Sequence, residues 1–206
     1  MELQLGANPQ PVFNLRKQLW GRLSGRQVMM YFAACAFPIH VWAILMVLRD
    51  VSWVSGRTSA WDGAGLIAYA LVFALVESLV VFAGFYLLSW LAPWRWSGNA
   101  LLVRMTVFVW IFQIWAVLGQ LGPLLQAGLP APAVQLLANF SHPLRLLYAI
   151  TAAMAALSLV IPILLLDRSP KLEVGLLNLL ERVVTLMTIY LFLDLGSIAI
   201  LVIRNT

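Results

Sequence analysis

Residues 63–93 read GAGLIAYALVFALVESLVVFAGFYLLSWLAP, a long apolar run whose one formal charge is Glu77, near its middle. A run of this length and apolarity predicts a helix that crosses a bilayer. A carboxylate at its centre is costly in hydrocarbon, so the reading demands that Glu77 turn toward protein, water or a partner.

The rest of the chain repeats this pattern. Of 206 residues, 63% are hydrophobic and 10% charged, against about 25% charged in a soluble domain. A soluble core could not absorb that much apolar surface, and the alternating strands of an outer-membrane barrel are absent from the sequence. The expectation is an all-α polytopic bundle of about five spans, near residues 28–48, 63–91, 101–118, 144–166 and 183–203. The first apolar run starts only around Val28 and leads into further spans, unlike a cleavable signal peptide. Every segment between spans is short, and no separate soluble domain is expected.

Local punctuation fits this division. Pro38 predicts a kink in the first span. Trp53 and Trp61, then Trp90, Trp94 and Trp96, mark interfaces, and Pro93 stops the second helix. Arg104 sits in the first turn of the third span and can snorkel to the near surface. Residues 120–143 contain Gly122, Pro123, Gly128, Pro130, Pro132 and Pro143, too broken for a span; a short interfacial helix around Ala133–Phe140 or a partly re-entrant loop is expected there. The fourth span pairs Ala152 with Ala156 and Thr151 with Ala155, small residues four apart that permit close helix approach. Ser169 reads as a cap, with Pro170 at the first helical position and an interfacial turn from Leu172 before the last span.

Residues 1–27 are polar and basic. Leu15, Leu19 and Leu23 share a helical face beside Arg16, Lys17, Arg22 and Arg26, which predicts an amphipathic helix on anionic lipid headgroups or a solvated topogenic tail. With the N-terminus inside, Arg16, Lys17, Arg22, Arg26, Arg95, Arg104, Arg168, Lys171 and Arg182 fall on the cytoplasmic side, leaving Arg49, Arg57, Arg145 and Arg204 outside. That bias places the N-terminus in the cytoplasm and the C-terminus outside, in a bacterial cytoplasmic (inner) membrane. The formal net charge of +5 is thereby read as topology and lipid contact rather than nucleic-acid binding.

Four polar residues fall at one depth. At about 1.5 Å per residue, His40, Glu77, Gln113 and Asp194 each lie roughly 16–18 Å into separate spans, near the middle of a hydrocarbon layer about 30 Å thick. Glu77 shares a small-residue stripe with Ala70, Ala74, Val81 and Gly84; Asp194 shares a face with Tyr190 and Ser197; Gln113 lies seven residues from Thr106 and Gln120. These spacings predict that all four point into the bundle. One reading makes them an ion or proton path, with Glu77 and Asp194 titrating, His40 relaying and Gln113 as a neutral partner. The other makes them a hydrogen-bonded cluster fixing helix register, or a contact with another subunit.

Chemistry of other kinds is weakly supplied. The two histidines, His40 and His142, lie at different depths, and the lone Cys35 falls in an apolar run, so no metal, haem or other cofactor is expected. No HExxH, GxSxG or phosphate-binding loop occurs. The sequence therefore favours a non-catalytic integral subunit or scaffold of a larger membrane complex, with other membrane subunits or copies of itself as partners. The rivals are a small ion- or proton-coupled transporter or channel, and an intramembrane lipid-modifying enzyme.

Overall fold

A computed structural model describes residues 22–57, 59–124, 128 and 130–206, and these are helical almost throughout. The helices are α1 (Gly25–Ser55), α2 (Ala60–Leu88), α3 (Gly98–Leu124), α4 (Ala131–Ala138), α5 (Pro143–Arg168) and α6 (Pro170–Asn205), with a single 3-10 turn, Ser89–Leu91, after α2. Five of them, all but α4, are long and apolar enough to cross a membrane. Helix is the fold this composition requires, because hydrocarbon offers the backbone no other hydrogen-bond partner. The protein is a multi-pass integral membrane protein.

Helix ends carry orphan N–H and C=O groups, and the sequence supplies partners for them. Ser24 with Gln27 and Ser59 with Asp62 form reciprocal capping boxes at the starts of α1 and α2. Ser59 is why α2 begins at Ala60, a turn before the expected Gly63. At the other end of α2, the Arg22 guanidinium donates to the carbonyls of Ser89, Ala92 and Pro93 at 3.2, 2.9 and 2.7 Å. It also lies 5.0 Å over the Trp94 ring.

Two polar girdles fix the helix ends. On the side of the α1 N-terminus, Arg26 pairs with Glu181 at 2.6 Å, Gln27 donates to Asn99 at 2.7 Å, and Arg104 pairs with Asp167 while lying 4.8 Å over Trp96. On the opposite side, Arg204 reaches the Trp61 carbonyl at 2.9 Å and Asp62 at 2.5 Å, closing over Gly65, where a Cβ would collide with that guanidinium. From Glu181 to Arg204, α6 rises about 35 Å, close to the hydrocarbon thickness of about 30 Å. The expected turn before the last span is instead part of the same helix, which runs unbroken from Pro170. Its first turns hold only Gly175 as a weak helix former, and one glycine costs about 1 kcal/mol without stopping a helix. Pro170 is at the first turn as expected, but the Ser169 side chain makes no cap hydrogen bond.

Packing centres on α1, which touches α2, α6 and α3. Four consecutive residues, Ala33, Ala34, Cys35 and Ala36, are buried, so α1 is enclosed on every side at this depth. Their small side chains let three neighbours approach at once. Helix α3 in turn carries α5, and the short α4 leans on α5. Helix α4 stands where a short helix is expected, near Ala133–Phe140. Most of the expected N-terminal amphipathic helix, with Leu15, Leu19, Arg16 and Lys17, lies outside the described residues.

Pro38 lies inside α1 and has no N–H, so the Ala34 carbonyl loses its helical donor. Helix α3 replaces it: Trp110 Nε1 donates to the Ala34 oxygen at 2.9 Å, and Gln113 Nε2 donates to the neighbouring Cys35 oxygen at 2.6 Å. Trp110→Phe keeps the ring bulk and removes the donor. It is expected to lower unfolding stability in detergent by about 0.6–1.7 kcal/mol, and by clearly less in a Pro38→Ala background, where a backbone N–H is restored. A double-mutant cycle on the unfolding midpoints measures this coupling.

Candidate functional site

Buried positions on α6 fall at 180, 183, 187, 194 and 197, with half-buried Tyr190 filling the gap. Alternating intervals of three and four keep these residues on one helix face. Asp194 is therefore delivered into the bundle, where it meets His40. Nε2 of His40 lies 3.2 and 3.1 Å from the two Asp194 carboxylate oxygens, and both side chains are sealed, at 0% and 1% exposure. The Tyr190 ring covers the imidazole at 5.5 Å between centroids.

The other ring nitrogen settles the protonation logic. Nδ1 lies 2.9 Å from the Ala36 carbonyl oxygen, which can only accept, so Nδ1 carries a proton. One further proton then bridges Nε2 and the carboxylate. Whether it resides on imidazole or carboxyl, the pair is neutral overall, and no net charge is placed in hydrocarbon.

Gln113 lies one helix away, buried to 8% exposure. Its amide nitrogen is held by the Cys35 carbonyl, and its Oε1 is buried without a hydrogen-bond partner. Thr106 Oγ1, two turns earlier on α3, is also buried and unpartnered. Gln120, the third member of that expected series, is exposed and accepts from Trp42 Nε1 at 2.7 Å.

Glu77 departs from the expectation. It does not point into the packed bundle but is exposed, one position beside the buried stripe Gly65, Ala68, Leu71, Ala74, Ser78 and Phe85. Helix α2 packs through that stripe; of the expected one, Ala74 is buried and Val81 packs half-buried against the core, while Gly84 is exposed. Adjacent residues point about 100° apart on a helix, so burying Ser78 turns Glu77 outward. The four mid-depth residues accordingly do not form one cluster: His40 and Asp194 pair, Gln113 braces α1, and Glu77 stands apart without a polar partner among the described residues.

Glu77 nonetheless faces a cavity. A cleft of about 500 Å³ opens among α1, α2, α3 and α6, and its lining includes Glu77, Gln113, Gln120, Trp42, Trp110 and Phe112. Beside it, Phe85 packs edge-on against Phe108 and Phe112, joining α2 to α3. The sequence reading passed over Trp42 and Trp110 as site residues. The spacing of Trp110, Gln113 and Gln120 on one face of α3 was the available signal.

The basic residues near the start are placed in part. Arg22 and Arg26 hold protein groups at the girdle, as described above, while Arg16 and Lys17 lie outside the described residues. Among the described residues, no three His, Cys, Asp or Glu side chains are grouped to hold a metal ion. Comparison with family models, curated proteins and solved structures yields no match to this chain.

Removing one member of the buried pair leaves the other unsatisfied in a dry interior. His40→Leu and Asp194→Leu are each expected to cost about 3 kcal/mol or more, with the double variant recovering much of that loss. Denaturant unfolding of the four proteins in one detergent checks it, and strictly additive costs would contradict the pairing.

Proposed function

We propose that the protein is a non-catalytic integral subunit or scaffold of a larger membrane complex. One observation carries this reading. Helix α5 buries a single residue, Leu166, along its whole length. It is tied to the body by Trp115 Nε1 donating to Ser158 at 3.0 Å and by the Arg104–Asp167 pair. Thr151, Ala152 and Ala156 face outward, so a surface suited to close helix approach is left unused among the described residues. The partners on this reading are transmembrane helices of other subunits, or of further copies, meeting α5. The N-terminal basic segment rests on anionic headgroups of a bacterial cytoplasmic membrane.

A second reading, a small ion- or proton-coupled transporter or channel, is favoured by Glu77 on the mid-membrane cleft. Asp194 contributes less to such a path than expected, because His40 closes it in.

Native mass spectrometry of the complex extracted in mild detergent separates the two. Stoichiometric foreign subunits are expected, and Ala152→Leu with Ala156→Leu should release them while leaving the chain's own unfolding midpoint within a few degrees. A monomer or pure homo-oligomer whose reconstituted proton or cation flux is lost in Glu77→Gln would instead establish transport.

A further inference from the structure

We propose that the cleft among α1, α2, α3 and α6 binds an amphiphilic organic ammonium, held by the Glu77 carboxylate among the Trp110 and Phe112 rings. The inference does not depend on the subunit reading. Its volume of about 500 Å³ falls within the range of about 300–1,000 Å³ typical of small-molecule sites.

The polar groups in the lining select the charge. Trp110 Nε1 is held by the Ala34 carbonyl and Trp42 Nε1 by Gln120 Oε1. The Gln113 amide nitrogen donates to the Cys35 carbonyl, and its oxygen is enclosed in the packing rather than open to the cleft. Glu77 adds a carboxylate, which accepts only. Gln113 keeps a second amide N–H and Gln120 an amide nitrogen, so both can donate as well as accept. Among the described residues, the Glu77 carboxylate is the one charged group in the lining. An N–H-bearing cation matches that charge and donates to the carboxylate.

The remaining lining selects the body attached to that cation. Trp110, Phe112, Val81, Leu179 and Val183 present rings and aliphatic surface. A bare metal ion would exchange its hydration shell for too few oxygens, since hard cations take about six or more. Aromatic faces, by contrast, attract an organic cation and cover its hydrocarbon. A partner's helix fits less well. At about 10 Å across, it would place only on the order of one turn in this volume. The lining also extends from Glu77 on α2 to Leu179 and Val183 on α6, a reach between helices that a flexible molecule entering from the bilayer can follow.

The test uses 4-(4-fluorophenyl)butylammonium and the matching neutral alcohol as probes. Binding to the full chain in lipid nanodiscs is followed by fluorine NMR, with empty nanodiscs subtracted. Saturable binding of the ammonium is expected at one site per chain, with an affinity at least tenfold above that of the alcohol. Glu77→Gln should lower ammonium affinity at least tenfold and leave the alcohol unchanged. Because Glu77 is exposed and holds no partner, that variant should keep its unfolding midpoint. Absence of saturable binding, or ammonium affinities within twofold between wild type and Glu77→Gln, overturns the proposal. Binding to the isolated chain that disappears in the assembled complex also overturns it, and assigns the cleft to a subunit's basic side chain. None of these outcomes alters the subunit composition found by native mass spectrometry, so the two readings fail separately.

Discussion

The carbonyl left without a donor by Pro38 sets much of the architecture. In water such a group would be hydrated; in hydrocarbon it must find a donor within the protein. Trp110 provides one, and Gln113 binds the next carbonyl along. These bonds hold α3 against the middle of α1. Together with the packing of Leu101, Leu102 and Val109 against α1 they set α3, and α5 is attached chiefly through α3. Gln113 Oε1 is left buried without a hydrogen-bond partner among the described residues.

Charge at mid-depth is handled in two different ways. His40 and Asp194 are enclosed, mutually bonded and neutral as a pair, and the Ala36 carbonyl orients the ring through Nδ1. This arrangement tolerates burial because nothing in it is left over. It joins α1 to α6 at the level where small alanines bring those helices together, and it suits a register lock. Glu77 receives no such treatment. It is held on the open side of a rigid helix, next to a cleft with aromatic walls. An apolar side chain would cost less at this depth, so packing gives no account of the Glu77 carboxylate.

The fold was legible because its signals are local. Apolar length marks the spans, tryptophans and basic residues mark their ends, and prolines and glycines mark the break between α3 and α5. Helix ends were less legible: Ser59 and Asp62 cap α2 early, and α6 continues through a stretch that the charges at Glu181 and Arg182 made look like an entry point. Depth was legible too, since it needs only a rise per residue. Azimuth was not. For α6 the alternating three-and-four spacing of Asp194, Tyr190 and Ser197 gave the buried face. For α2, two stripes of small residues compete, and only the packing against α1 and α6 decides that Ser78 is inside and Glu77 outside.

That difference in azimuth changes what the polar layer can be. Had all four groups converged, a continuous proton route across the bundle would have been the natural reading. Instead no hydrogen bond among the described residues links the sealed pair to Glu77 or to Gln113, which is tied to the Cys35 carbonyl. A proton or ion passing the midplane by way of Asp194 would have to break a bond that neutralises the interior. One approaching Glu77 meets only the cleft. The layer therefore divides: the His40–Asp194 pair joins α1 to α6 inside the bundle, and Glu77 opens onto the cleft.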